Sequence, residues 1–152
     1  MTIRPAMPSD LPAIVAIWNR VIRETDLTFT TTEKTADTLS AAQFLVSEST
    51  QIHGFATYAP FRPGPGYAHT GELSIYLAPT AQRRGLGAAL LEALEHQAKV
   101  EGMHSLIAGI AGQNAPAIAF HVAQGYAPVG HLPEVGWKNG TWHDLILMQK
   151  RL

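Results

Sequence analysis

The chain of 152 residues contains no cysteine, which excludes disulfides, thiolate nucleophiles and cysteine-ligated metals together. Charge is scarce as well. Charged residues make up 15% of the chain, the formal net charge is −1, and no run of lysine or arginine exceeds a pair. Nothing in that pattern draws nucleic acid or an acidic membrane surface, so neither is expected as a partner. No apolar stretch is long enough to span a bilayer, and the first residues lack an apolar core behind a basic start. A soluble, cytoplasmic protein is the expectation. Seven histidines are present, yet none stands as His-x-His or His-x-x-x-His, so no metal site is expected. A Gly-x-Ser-x-Gly elbow is also missing, which leaves a serine hydrolase without a nucleophile.

What is present suits one globular domain over residues 1–152: 46% of the chain is hydrophobic, enough for a substantial core. Thr2 to Pro5 reads as a strand, with Ser9 as N-cap of a helix that carries Leu11, Ile14, Trp18 and Val21 on one face to about Glu24. Thr28 to Thr30 reads as extended and Lys34 to Ala42 as a short helix. Phe44 to Val46 and His53 to Tyr58 form a predicted hairpin, followed by an irregular loop from Pro60 to Gly66. Later come a strand at Ser105 to Ile110 and a helix opened by Gln113 and Asn114 with Pro116 in its first turn. Two closing strands, Ala127 to Leu132 and Trp142 to Lys150, are separated by a turn around Lys138, Asn139 and Gly140. This order predicts an α/β layer fold with a mixed central sheet of about seven strands flanked by helices.

The central stretch runs from Glu72 to Gly87. Leu73 to Leu77 is a β-branched and aromatic strand that Pro79 ends, and Ala88 to Lys99 is a run of helix formers with Leu90, Leu91, Leu94 and Ala98 on one face. Between them stands Gln82-Arg83-Arg84-Gly85-Leu86-Gly87. The first N–H groups of a helix lack internal partners and the helix dipole adds positive potential there, so this turn suits a phosphate. Gly85 and Gly87 leave room for a diphosphate, and Arg83 and Arg84 add charge. The run lacks both the Gly-Lys-Ser/Thr ending of a P-loop and the three-glycine dinucleotide fingerprint. By spacing alone, an ordinary strand-to-helix connection fits equally well.

The sequence of that turn resembles the Gln/Arg-x-x-Gly-x-Gly/Ala motif of the GCN5-related N-acetyltransferases, which holds the diphosphate of acetyl-CoA. The likeness spans nearly the whole chain, from Ile3-Arg4-Pro5-Ala6 to Trp142-His143-Asp144, and is strongest to the branch with the phosphinothricin and methionine sulfoximine acetyltransferases. It implies a GNAT-like fold, acetyl-CoA as co-substrate, a small-molecule amine as acceptor and a homodimer. The cofactor contacts implied are Ile75, Tyr76 and Leu77 along the pantetheine arm, Gln82, Arg83, Arg84, Gly85, Leu86, Gly87 and Ala88 at the diphosphate, and Asn114.

Acyl transfer requires a base, because an amino group of pKa near 8 is mostly protonated at neutral pH. By residue type alone Glu72 is either that base or a solvated strand-end carboxylate, and the resemblance puts the family's catalytic glutamate there. His121 stands where many superfamily members carry the tyrosine that protonates the leaving thiolate; a lone histidine on an apolar helix is otherwise a core residue. Asn114, Ala117, His121, Gly125 and Tyr126 keep the superfamily spacing. For the acceptor, Arg62 is either a surface arginine or a cation that grips a carboxylate through two parallel hydrogen bonds, and the resemblance implies Phe29 and Tyr67 as walls, with the base Glu72 also touching the acceptor. The segment from Phe29 to Phe44 is shorter than is usual in that branch and borders the acceptor pocket there.

Overall fold

The computed structural model describes residues 1–81 and 85–152. Gln82, Arg83 and Arg84, three of the expected cofactor contacts, lie outside the described residues. Among those described, seven strands form one sheet: β1 (Thr2–Pro5), β2 (Phe44–Glu48), β3 (Ile52–Pro60), β4 (Thr70–Leu77), β5 (Ser105–Ala111), β6 (Ala127–Lys138) and β7 (Thr141–Arg151). Three α-helices accompany them, α1 (Leu11–Glu24), α2 (Leu86–Val100) and α3 (Ala115–Ala123). Their spatial order is β1-β2-β3-β4-β5-β7-β6. β4 and β5 pair in parallel and the other neighbours antiparallel. A parallel pair cannot be closed by a tight turn, so the chain crosses back through α2. The expected mixed-sheet α/β fold is what the chain adopts.

Strand alternation divides the core in two. Phe44, Val46 and Phe55 face α1, where they meet Leu11 and Ile14. Leu45, Ala56 and Leu73 face the other way, onto Leu86, Leu90, Leu91 and Leu94 of α2. Trp18 belongs to the first layer, its ring 5.2 Å from Phe55 and 6.1 Å from Tyr76 between centroids. Phe55 is fully buried and touches three aromatic neighbours. Its replacement by alanine is expected to cost about 3–5 kcal/mol of stability through lost burial and the remaining cavity. Urea unfolding followed by circular dichroism reads that loss, and a change below about 1 kcal/mol would contradict this packing.

Several local expectations are corrected. Ser9 does not cap α1; it lies within a 3-10 turn, Pro8–Asp10, that precedes the helix. Asp10 organises this entry instead, accepting the Met7 N–H at 2.7 Å and the Arg4 guanidinium at 2.8 Å. The predicted helix over Lys34 to Ala42 is reduced to two 3-10 turns, Ala36–Thr38 and Ala41–Gln43, because Leu39 and Ser40 are extended. Thr28 to Thr30 joins no strand. β6 continues to Lys138, well past the expected end at Leu132, by absorbing register shifts between Pro128 and Gly130 and between Leu132 and Gly136. Such shifts break the period-two pattern by which a strand is recognised in sequence.

Candidate active site

β4 and β5 are paired only from Thr70↔Ser105 to Leu73↔Ala108, although β4 runs on to Leu77 and β5 to Ala111. Beyond Leu73 the two strands part. The facing backbone edges of Ser74 to Leu77 and of Gly109 to Ala111 therefore have no ladder partner on that side. A cavity of about 560 Å³ fills the gap, walled by both strands, by Gly87, and by Asn114, Ala117, Phe120 and His121 of α3. An extended, amide-bearing ligand can replace the missing strand there, as in β-strand addition.

Gly85 begins α2 with φ +70°, a left-handed conformation that a side chain disfavours, and no side chain caps the helix. Among the described residues the first bond back into the helix is from Ala89 N–H to the Gly85 carbonyl, and the first N–H groups of a helix suit an anion. Across the cleft Asn114 caps α3, its side-chain oxygen accepting the Ala117 N–H at 3.3 Å. Asn114 also lines the cavity. Of the expected cofactor contacts, Ile75, Tyr76, Leu77, Gly87 and Asn114 line this cavity; Gly85, Leu86 and Ala88 form the helix start beside it.

Glu72 projects over Gly109 of β5, where an added Cβ would lie 3.4 Å from its Oε2. That is a van der Waals contact, so the carboxylate lies against the strand at this glycine. The side chain opens to solvent on one side, yet the protein around the other pushes its pKa above the ordinary carboxylate value through desolvation. Tyr76, two positions along the same strand face from Ser74, is also raised, first by burial and further by the charge of Glu72, against a hydrogen bond with Thr28.

His121 is 5% exposed and contributes to the cavity wall. Its Nδ1 lies 2.8 Å from the Ala117 carbonyl, which can only accept, so Nδ1 carries hydrogen. Nε2 is buried and has no partner among the described residues. Burial lowers the pKa of the ring, against the Ala117 hydrogen bond and the charge of Glu95. The resting imidazole is therefore neutral, with Nε2 as a lone pair able to accept a proton. Behind it, Tyr126 donates to Glu95 at 2.8 Å and Lys150 to the same carboxylate at 2.9 Å, so the ring is backed by fixed neighbours.

Phe29 stacks on His143 with centroids 5.5 Å apart and planes at 17°. A second, polar cavity of about 470 Å³ lies beside His143, bounded by Asp26, Gln113, His131, Trp142 and Asp144. Asp144 is held below its usual pKa first by the Glu134 N–H and then by His131, which it meets at 2.8 Å. Arg62 and Tyr67 line neither cavity; they lie in the exposed loop between β3 and β4, with the guanidinium 5.8 Å from the Tyr67 ring centroid. Among the described residues no group of three or more potential ligands could hold a metal ion. Asp26, Lys138 and His143 were not expected at the site. Lys138 sits beside a polar Asn-Gly turn, so its type and position in sequence signal a surface residue.

Parted parallel strands, a glycine-started helix and a carboxylate at the fork define an acyl-CoA type of cleft. The chain belongs to the acetyltransferase (GNAT) domain family, whose model matches residues 3–147. It is 34% identical to the L-methionine sulfoximine/L-methionine sulfone acetyltransferase of Pseudomonas aeruginosa, over 99% of this chain and 94% of that one. A ribosomal-protein-alanine N-acetyltransferase from Brucella melitensis is 39% identical, with a TM-score of 0.93 over the full length of both chains. The Salmonella typhimurium acetyltransferase yncA, solved with its cofactor acetyl-CoA, is 34% identical with a TM-score of 0.94, over 100% of this chain and 94% of that one. The protein is an N-acetyltransferase.

Proposed function

We propose that the protein transfers the acetyl group of acetyl-CoA to the primary amine of a small amino acid or amino-acid analogue of the methionine sulfoximine and phosphinothricin kind. The observation that carries this reading is the fork of β4 and β5, with Glu72 lying over Gly109 beside it. Pantetheine amides pair with the free edge of Ser74 to Leu77. The diphosphate rests on the N–H groups at the start of α2, with Gln82, Arg83 and Arg84 as further contacts, and Asn114 donates to the pantetheine arm.

Glu72 takes a proton from the substrate ammonium, directly or through a water, and the freed lone pair forms the C–N bond at the thioester carbonyl. His121 enters the cycle neutral, so it acts as an acid only after receiving a proton. Its Nε2 accepts the second proton lost by the nitrogen and returns it to sulfur as the C–S bond breaks. The balance is one amide, one thiol and one proton left on Glu72.

Arg62 is the proposed anchor for the acceptor carboxylate, with Phe29 and Tyr67 as walls. Apart from its contact with the Tyr67 ring, its guanidinium has no ion-pair partner among the described residues, which supports this role. Arg62→Ala is expected to raise KM for α-amino acid analogues by the equivalent of about 1.5–3 kcal/mol, the range for hydrogen bonds to a charged group. Amines lacking a carboxylate should be nearly unaffected. Equal losses on both kinds of acceptor, or none, would return Arg62 to the surface.

A peptide N-terminus is the second reading, favoured by the acceptor in the name of the Brucella relative. Release of CoA thiol from acetyl-CoA decides between them, with methionine sulfoximine, methionine sulfone and phosphinothricin tested beside alanine-ended peptides. Turnover of peptides alone would overturn the first reading, and no thiol release with any acceptor would leave a non-catalytic acyl-CoA sensor. The β6–β7 hairpin exposes Val129, Val135, Trp137 and Trp142, with the two indoles 4.7 Å apart between centroids. An apolar face of that kind supports a homodimer, which sedimentation equilibrium checks. A cytoplasmic location follows from the need for acetyl-CoA, and cell fractionation tests it.

A further inference from the structure

Lys138 is 3% exposed, and its ammonium donates to two backbone carbonyls, Ile22 at 2.8 Å and Thr28 at 2.7 Å. The first lies in the last turn of α1 and the second immediately precedes Phe29. An ammonium removed from water is costly unless its hydrogen bonds are worth more than its hydration, and burial lowers the pKa of this one against the charge of Asp26. The two carbonyl acceptors offset part of that cost. They also determine where the segment from Asp26 to Phe29 can lie.

The same segment is fastened to the β6–β7 hairpin and its surroundings at every turn. Asn139 donates to the Asp26 carboxylate, and Gln113 donates to the Asp26 carbonyl at 3.3 Å. His143 Nε2–H donates to the Lys138 carbonyl at 3.0 Å, which aligns the imidazole under the Phe29 ring. Gly136 is the floor on which Phe29 rests: a Cβ there would come within 2.7 Å of three ring carbons. Leu27 of this segment lines the acetyl-CoA cavity, whereas Asp26 lines the polar one. The geometry points to Lys138 as a positioning residue that, through the Thr28 carbonyl and with Gly136 and His143, holds Phe29 as the wall of the acceptor pocket. This rests on the reading of Phe29 as an acceptor wall and adds the device that holds it.

The test uses the full chain and methionine sulfoximine as acceptor. Lys138→Met keeps an unbranched side chain out to Cε and removes the ammonium. It is expected to raise the acceptor KM by about tenfold or more while the acetyl-CoA Kd changes by less than about twofold. Gly136→Ala leaves Lys138 in place and pushes on Phe29 directly, so it should shift the same constant in the same direction. In a Phe29→Ala background, adding Lys138→Met should change KM by less than about twofold, because its effect passes through the missing ring. A Lys138→Met variant that melts at lower temperature with an unchanged acceptor KM would reduce Lys138 to a structural residue. Multiplying effects in the double variant would show that it acts by another route. Should Lys138→Met fail to fold, an unchanged acceptor KM in folded Gly136→Ala overturns the inference alone. A wild-type enzyme inactive on every amino-acid acceptor defeats the proposed substrate class instead, so the two failures are told apart.

Discussion

Glu72→Gln is expected to lower turnover by about 10²–10⁴, the contribution of a positioned general base, while acetyl-CoA affinity stays nearly unchanged. Glutamine keeps the shape and the contact over Gly109 but cannot accept the ammonium proton. The pH profile supplies an independent check with a definite sign. Desolvation raises the Glu72 pKa, so the protonated, inactive form persists to higher pH than for a solvated carboxylate. The wild-type kcat/KM should therefore fall, as pH is lowered, at a pH above the ordinary glutamate range. The variant lacks this limb and recovers part of its rate above pH ~8, where α-amino groups lose their proton unaided. His121→Ala should cost less, because a neutral Nε2 relays a proton that water can also carry. Near wild-type rates for Glu72→Gln at all pH values would remove Glu72 from the chemistry.

Gly85→Val should weaken acetyl-CoA binding by at least about tenfold, ~1.4 kcal/mol, in a chain that still folds. Two physical effects contribute. At φ +70° a β-branched residue is strained by roughly 1–3 kcal/mol, which distorts the start of α2. The new side chain would meet no atom of the described residues within 4 Å of its Cβ, and it would add bulk at the helix start where the diphosphate is proposed to bind. Gly85→Ala separates the two, since alanine adds most of the backbone strain and little bulk. Calorimetric titration with acetyl-CoA reads the result, and unchanged affinity in folded Gly85→Val would move the diphosphate elsewhere.

The sequence by itself determined the order of the elements and the strand–turn–helix unit from Glu72 to α2, because these are local matters. Apolar spacing, a stopping proline and glycines at a helix start all act within a few residues, and the family motif is contiguous. That Gln113 and Asn114 open α3 was legible for the same reason. The 3-10 turns after Thr35 were not, because the extended Leu39 and Ser40 divide what reads as one helix, nor was the long, bulged β6, whose hydrogen bonds depend on the register that β7 offers. Tertiary structure alone decided that β4 and β5 part after Leu73 and Ala108 and that Glu72 comes to lie over Gly109. It also set the resting state of His121, whose burial and bond to Ala117 leave Nε2 a lone pair. The burial of Lys138 shows the limit most directly. A lysine beside an Asn-Gly turn reads as solvated, yet its ammonium bonds to a carbonyl 110 residues away in the chain. Such a contact depends on strand register and on the distance across the sheet to α1, quantities that arise only when the whole core packs at once.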